Sequence, residues 1–199
     1  PDKILFPFVE DEHVTNAMVL SGQSEWELKS LLTLVHNELK PSVTIELGIY
    51  EGGTTYLLSL VTSNLTIGVD CNPNYKSHLP KSNIDIVTGD THHNTTFDKV
   101  KEKLNGRACD LLFIDADHTY ESVKKDYEIW RSLVRSGGWI VFHDIDPNHI
   151  QKTTCQVDKF WNELIGSKLE FIATQQHWEM GYRGIPPYHG GIGILKTDF

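Results

Sequence analysis

The chain has 199 residues and a net charge of −9, with 39% hydrophobic and 23% charged residues. These are ordinary proportions for one globular domain whose core needs no staples. The acidic balance repels a polyanion and no run of Lys and Arg overrides it, so the expected partner is a small molecule rather than nucleic acid. Cys71, Cys109 and Cys155 are odd in number and far apart. They indicate neither a disulfide framework nor a Cys-x-x-Cys metal site, and they fit a reducing, cytoplasmic setting. No apolar stretch reaches the roughly 18 residues that cross a bilayer, and the N-terminus lacks the layout of a signal peptide.

Residues 1–23, with Phe6, Phe8 and Val9, read as a lid or a contact between copies of the chain, preceding a main domain over 24–199. Ser24 and Glu27 make a Ser-x-x-Glu capping box, which predicts a helix start. Leu28, Leu31, Leu32, Val35 and Leu39 follow at helical spacing, and Pro41 ends the run. Val43–Leu47 is a short β-rich run followed by a Gly-rich turn and a helix over Tyr56–Val61. Leu65–Val69, ending at Asp70, and Ile84–Val87 are the second and third strands, with a helix at Phe97–Leu104. Cys109–Ile114, ending at Asp115, is the fourth. Tyr120, Val123, Tyr127, Trp130 and Val134 mark a helix that Gly137 and Gly138 are expected to end. Trp139–Phe142 is the fifth strand, and Lys168–Thr174 and Gly191–Lys196 are two more joined by a long loop.

Strands apolar on both faces, alternating with helices, predict a doubly wound α/β fold: a mostly parallel seven-stranded sheet with helices on both faces. Asp70, Asp115 and Asp144 each follow a strand at the edge where open α/β sheets bind ligands. Any one of them alone is accounted for as a turn or helix cap.

The strongest signal is Thr44-Ile-Glu-Leu-Gly-Ile-Tyr-Glu-Gly-Gly-Thr-Thr55. Gly48, Gly52 and Gly53 leave backbone open to a ligand, and a helix starting near Gly53 points free N–H groups at it. Tyr50 stands where a dinucleotide fingerprint needs its middle glycine, which argues against that cofactor. Asp70, one strand later, can accept from both hydroxyls of a ribose.

Glu46-Leu-Gly-Ile-Tyr-Glu-Gly-Gly-Thr54, Ile67-Gly-Val-Asp70 and Val87-Thr-Gly-Asp90 together resemble the first motifs of class I S-adenosylmethionine-dependent methyltransferases. Phe113-Ile-Asp-Ala-Asp-His-Thr-Tyr-Glu121 and Arg135-Ser-Gly-Gly-Trp-Ile-Val-Phe-His-Asp144 narrow the likeness to the branch of cephalosporin-hydroxylase-like proteins and macrolide-sugar O-methyltransferases. The resemblance implies a Rossmann-like fold that holds S-adenosylmethionine through Glu46, Gly48, Tyr50, Gly52, Gly53, Thr54, Asp70, Asp90 and Asp115. Glu46 and Gly48 would take the methionine end, Asp70 the ribose and Asp90 the adenine.

Asp115 and Asp144, at the ends of adjacent strands, can share a hard cation such as magnesium. The resemblance adds His143 to that metal set, where the relatives carry a carboxylate. Imidazole suits transition metals better than magnesium, so a metal is expected only as an aid whose identity is open. His118 follows Asp115 by three residues, the offset of the catalytic His in the macrolide-sugar enzymes, and an imidazole accepts a proton near neutral pH. The alternative, a cap for the helix near Tyr120, is the better reading of a lone His, but in this motif context the catalytic one leads. Asp117 either orients His118 or completes a metal shell, and His92 and His93 are assigned no role.

The function expected is O-methylation of a small-molecule hydroxyl, on a sugar or polyhydroxylated metabolite. Two alternatives stay open: a cofactor-binding protein without turnover, and a metal-dependent hydroxylase using His118, His143 and Asp144. The aromatic stretch His177–His189, with Trp178, Tyr182 and Tyr188, is read as an acceptor surface or a subunit contact.

Overall fold

A computed structural model describes residues 6–76, 82–148, 153–179 and 190–198. The chain runs α1 (Glu12–Leu20), α2 (Glu25–Leu34), β1 (Val43–Leu47), α3 (Gly53–Val61), β2 (Leu65–Asp70), β3 (Ile84–Thr88) and α4 (Asn94–Leu104). It continues with β4 (Cys109–Ile114), α5 (Tyr120–Trp130), β5 (Val134–His143), α6 (Val157–Glu163), β6 (Ser167–Phe171), α7 (Gln175–Glu179) and β7 (Ile192–Lys196). The seven strands form one sheet in the order β3-β2-β1-β4-β5-β7-β6, with β7 antiparallel to both of its neighbours. This is the expected mostly parallel, doubly wound sheet. Among the described residues no helix is long and apolar enough to cross a membrane.

Strand alternation splits the core into two layers. Leu112, Ile114, Ile140 and Phe142 pack with Val100, Val123, Trp130 and Phe160 of α4, α5 and α6. Leu111, Phe113, Trp139 and Val141 face the other way, onto Ala17, Leu28, Leu31, Tyr56 and Leu57 of α1, α2 and α3. Burial on both sides is why these strands read as unbroken apolar runs.

Two local expectations are corrected. Ser24 is the N-cap of α2, but its side chain makes no capping bond. Glu27 does not reach back to it: the carboxylate is fully buried and accepts from the backbone N–H groups of Ala173 (2.7 Å) and Gly191 (3.1 Å). Next, α5 ends at Trp130 in a 3-10 turn, Arg131–Leu133, and Val134 already belongs to β5. Cys109 pairs with Val134 and Leu111 with Trp139, so Gly137 and Gly138 lie in a bulge of that strand. A Cβ on Gly138 would come within 2.9 Å of the Asp110 carbonyl oxygen, a close approach that glycine alone allows. The residues before Ser24 add a helix not assigned from the sequence, α1, whose Val14 and Ala17 are buried in the second layer and whose N-cap Asp11 accepts from Val14 N–H (2.9 Å).

Candidate active site

The chain leaves β1 toward β2 on one side, and β4 begins the other half of the sheet, so the strand order reverses between β1 and β4. Ligands of open α/β sheets bind outside the carboxyl ends at such a reversal. Here Gly48, just after β1, lies against Asp115, just after β4. A Cβ on Gly48 would fall 2.2 Å from the Asp115 carbonyl oxygen. Above this point opens a cavity of about 940 Å³, near the top of the roughly 300–1,000 Å³ usual for small-molecule sites. Its wall includes Gly48, Tyr50, Asp70 and Asp90 on the β1–β3 side and Asp115, His118, His143 and Asp144 on the β4–β5 side.

The expected cofactor residues divide into wall and support. Gly48, Tyr50, Asp70, Asp90 and Asp115 line the cavity, whereas Glu46, Gly52, Gly53 and Thr54 are absent from its described wall. The buried Glu46 carboxylate accepts from the Thr55 hydroxyl. Burial pushes its pKa well above the usual carboxylate range; the Thr55 bond works against this, while Asp115 and Asp70 add to it. The open face of Gly52 is filled by the Tyr75 ring, 2.3 Å from where a Cβ would stand, and that of Gly53 by the backbone of α1 at Ala17 and Ser21. These two glycines admit packing partners of the chain itself, against the expectation that they leave room for a ligand.

Asp70 braces the turn as well as facing the cavity. Its Oδ2 accepts from Ile49 N–H (3.0 Å) and Tyr50 N–H (3.3 Å), and Oδ1 from Asn72 N–H (2.7 Å). Asp90 holds His92 N–H at 2.8 Å. His92, given no role from the sequence, lines the cavity, and its Nε2 stands 3.3 Å from the buried Asp126, whose carboxyl burial raises to about 6. His93 caps α4 and is exposed.

The four groups on the β4–β5 side interlock. Asp115 Oδ1 lies 3.0 Å from His143 Nδ1 and 3.4 Å from His118 Nε2. Asp144 Oδ2 lies 3.2 Å from His118 Nδ1 and 3.4 Å from His143 Nδ1. Asp144 sits at φ 64°, a left-handed conformation that costs a non-glycine residue energy and clusters at functional sites. Burial opposes the charged form of His143, but Asp144 and Asp115 outweigh it and raise the imidazole pKa well above its usual range. His118 is raised in the same way against its own desolvation, by Asp115 and Asp144. Burial alone would raise Asp115; His143 and His118 overcome it and hold the carboxyl below its ordinary value. The helix cap near Tyr120 is Thr119, whose side chain accepts from Ser122 N–H, and Asp117 accepts from Thr119 N–H (2.8 Å). Capping is therefore done by Thr119, and Asp117 shapes that turn.

Asp115, His143 and Asp144 each present a donor atom within 4.8 Å of the other two. Donor separations of 3.0 and 3.4 Å in this cluster match the edges of octahedral and tetrahedral shells with bonds of about 2.1 Å. Among the described residues, His143 Nε2 is buried with no hydrogen-bond partner. The residues thus fit a divalent cation, and the nitrogen donor favours a transition metal over magnesium.

Gln23 was not singled out from the sequence; its Nε2 donates to Asp115 Oδ2 (2.9 Å). A lone Gln between two helices offers no pattern that could have pointed there. Of the aromatic stretch, His177 is buried and stacks on Trp26 at 3.9 Å. The Trp178 side chain, Tyr182 and Tyr188 lie outside the described residues.

A family model described as "Methyltransferase domain" matches residues 45–145. An uncharacterized protein of Acanthamoeba polyphaga mimivirus is 32% identical over 115 residues, covering 50% of this chain and 50% of its own length. A Dictyostelium discoideum protein named as a probable caffeoyl-CoA O-methyltransferase is 28% identical over 156 residues, 72% of this chain and 58% of that protein. The chain therefore spans about half to three-fifths of the lengths of these curated relatives. The crystal structure of an O-methyltransferase from Bacillus cereus in complex with SAH superposes with a TM-score of 0.64 at 17% identity, over 96% of this chain and 93% of that one. That likeness bears out the fold.

Proposed function

The chain belongs to the methyltransferase domain family, and from this premise we propose that it transfers the methyl group of S-adenosylmethionine to a hydroxyl oxygen of a small molecule, with His118 as the base. The observation that carries the reading is one cavity holding both halves of the chemistry, carboxylates beside the glycine turn and an imidazole pinned between two more carboxylates across from them. When bound, S-adenosylmethionine supplies an electrophilic methyl group on a cationic sulfur.

Three of the roughly four acceptor positions of Asp70 take the backbone N–H groups of Ile49, Tyr50 and Asn72, and the one left over would hold a ribose hydroxyl. Asp90 takes the adenine edge. The net negative charge of the site favours the sulfonium. The main work of the protein is to align acceptor oxygen and methyl carbon and to remove the hydroxyl proton as attack proceeds. His118 receives that proton on a ring nitrogen, and Asp115 and Asp144, 3.4 and 3.2 Å away, stabilise the imidazolium that forms. Asp115, His143 and Asp144 are the residues that would hold a divalent cation, which would supply a lowered pKa to a bound hydroxyl. The acceptor class is a sugar or other polyhydroxylated metabolite, and Ser21 and Gly22, just before α2, form part of the cavity rim.

The test pairs calorimetric binding of S-adenosylhomocysteine with methyl transfer from labelled S-adenosylmethionine to a panel of sugars and phenols. His118→Ala should retain binding and lose most transfer, about 10²–10⁴-fold for a general base. Equal loss of both would remove His118 from catalysis, and absence of binding by the wild type would remove the whole reading.

A further inference from the structure

Asp144 belongs to two groups of donors, and the second brings in Cys155, a residue outside the site described so far. His118, Asp144 and Cys155 also present three donor atoms within 4.8 Å of one another. They come from three separate segments: the turn after β4, the end of β5 and the approach to α6. The backbone ties them together. Gln156 N–H donates to the His118 carbonyl (2.7 Å), and the Cys155 thiol points at the Asp144 carbonyl with Sγ 3.8 Å away. Cys155 is buried at 4% exposure, behind His118, which faces the cavity.

We propose that His118, Asp144 and Cys155 form a site for a thiophilic divalent cation of the zinc class, and that its occupation disarms the base. The second half rests on the reading of His118 given above. An imidazole nitrogen, a carboxylate oxygen and a thiolate are all zinc donors, with bonds of about 2.0–2.3 Å, and three protein donors would leave a fourth position for another ligand. Such bonds set donor separations of roughly 3.3–3.8 Å, which side-chain rotation can reach. Binding releases the thiol proton, and the second ring proton of His118 where it is present, to water; carboxylate plus thiolate then balance the two charges of the ion. A thiolate donor selects soft ions and excludes magnesium.

The inhibitory consequence follows from the imidazole itself. A neutral ring has one N–H and one lone pair. A cation that takes the lone pair leaves only the protonated nitrogen, so His118 can no longer accept a proton from the acceptor hydroxyl.

Cobalt(II) is the probe, because thiolate ligation gives an intense near-ultraviolet charge-transfer band that oxygen and nitrogen ligands do not. The full chain carrying Cys71→Ser, which removes the exposed thiol, should develop this band with one equivalent of cobalt. Adding Cys155→Ser or Cys155→Ala should abolish it, with thermal melting to confirm that each variant is folded. At fixed pH the imidazole resonances of His118 should shift with one equivalent of zinc, and the Cys155 variants should leave them where they are in the metal-free protein. A wild-type chain without the band, or a band that survives loss of Cys155, overturns the site whatever turnover shows. A band accompanied by full transfer in His118→Ala leaves the cation site standing and overturns the inhibitory role alone.

Discussion

Gln23 and Asp115, 92 residues apart, are joined by a hydrogen bond of 2.9 Å from amide Nε2 to carboxylate Oδ2. With that oxygen occupied, Oδ1 is left to face His143 and His118. The connection between α1 and α2 thereby fixes the rotamer of the residue at the centre of the cluster. Gln23→Leu should cost about 0.5–1.5 kcal/mol, the net worth of one hydrogen bond at a half-buried carboxylate that water can reach, measured by urea unfolding. An unchanged unfolding midpoint would mean that the bond does not form in solution.

Asp70 serves both the ligand and the turn that faces it. Asp70→Asn removes a charged acceptor from Ile49 and Tyr50 N–H as well as from the ribose. Loss of charge-assisted bonds worth about 1.5–3 kcal/mol should weaken S-adenosylhomocysteine by roughly 10–100-fold. Calorimetry reads this directly, and equal affinity in variant and wild type would take Asp70 off the ribose.

Burial raises the Glu27 carboxyl from 4.5 to about 7, with the bonds from Ala173 and Gly191 opposing it. The native state therefore holds this proton more tightly than the unfolded chain. The associated stability is fully present below pH 4.5 and is lost as pH rises through about 7. Compared with Glu27→Gln, which does not titrate, the wild type should gain roughly 3 kcal/mol on going from above to below this window. Denaturant unfolding at a series of pH values checks it, and a difference independent of pH would contradict it.

Gly190 abuts the cluster, and a Cβ built on it would stand 2.3 Å from His143 Nε2 and 2.8 Å from Asp144 Oδ1. Gly190→Ala forces either the imidazole or the backbone to move, at an overpacking cost of about 1–3 kcal/mol. A lowered melting temperature together with displaced His143 ring resonances is the expected result. A variant with wild-type values for both would show that this edge of the site is pliable.

The parallel half of the sheet was legible because both of its faces are covered. β1 and β4 coincide with the apolar runs at 43–47 and 109–114. The carboxyl-edge acids were legible for the same reason, since each follows such a run. Glu27 was misread because a local pattern competed with a distant one: the capping box is satisfied within four residues, whereas the real partners of Glu27 lie at 173 and 191. Gly137 and Gly138 gave a helix-stop signal that a strand bulge produces equally well. The helix α6 was overlooked although Val157, Phe160 and Trp161 are spaced for one buried face. Asp11 three residues before Val14 carried the start of α1. The roles of Gln23 and Cys155 left no trace in spacing, because they depend on which loops the sheet brings together.

The antiparallel β7, lodged between β5 and β6, sets an order of assembly. β6 is synthesised first, yet its sheet neighbour is β7, so it has nothing to pair with when it leaves the ribosome. Until residues 192–196 arrive, the outer side of β5 also stays open along Trp139–His143. A nascent chain paused before that point presents an apolar strand edge of the kind chaperones cover. The seventh strand closes this sheet from within.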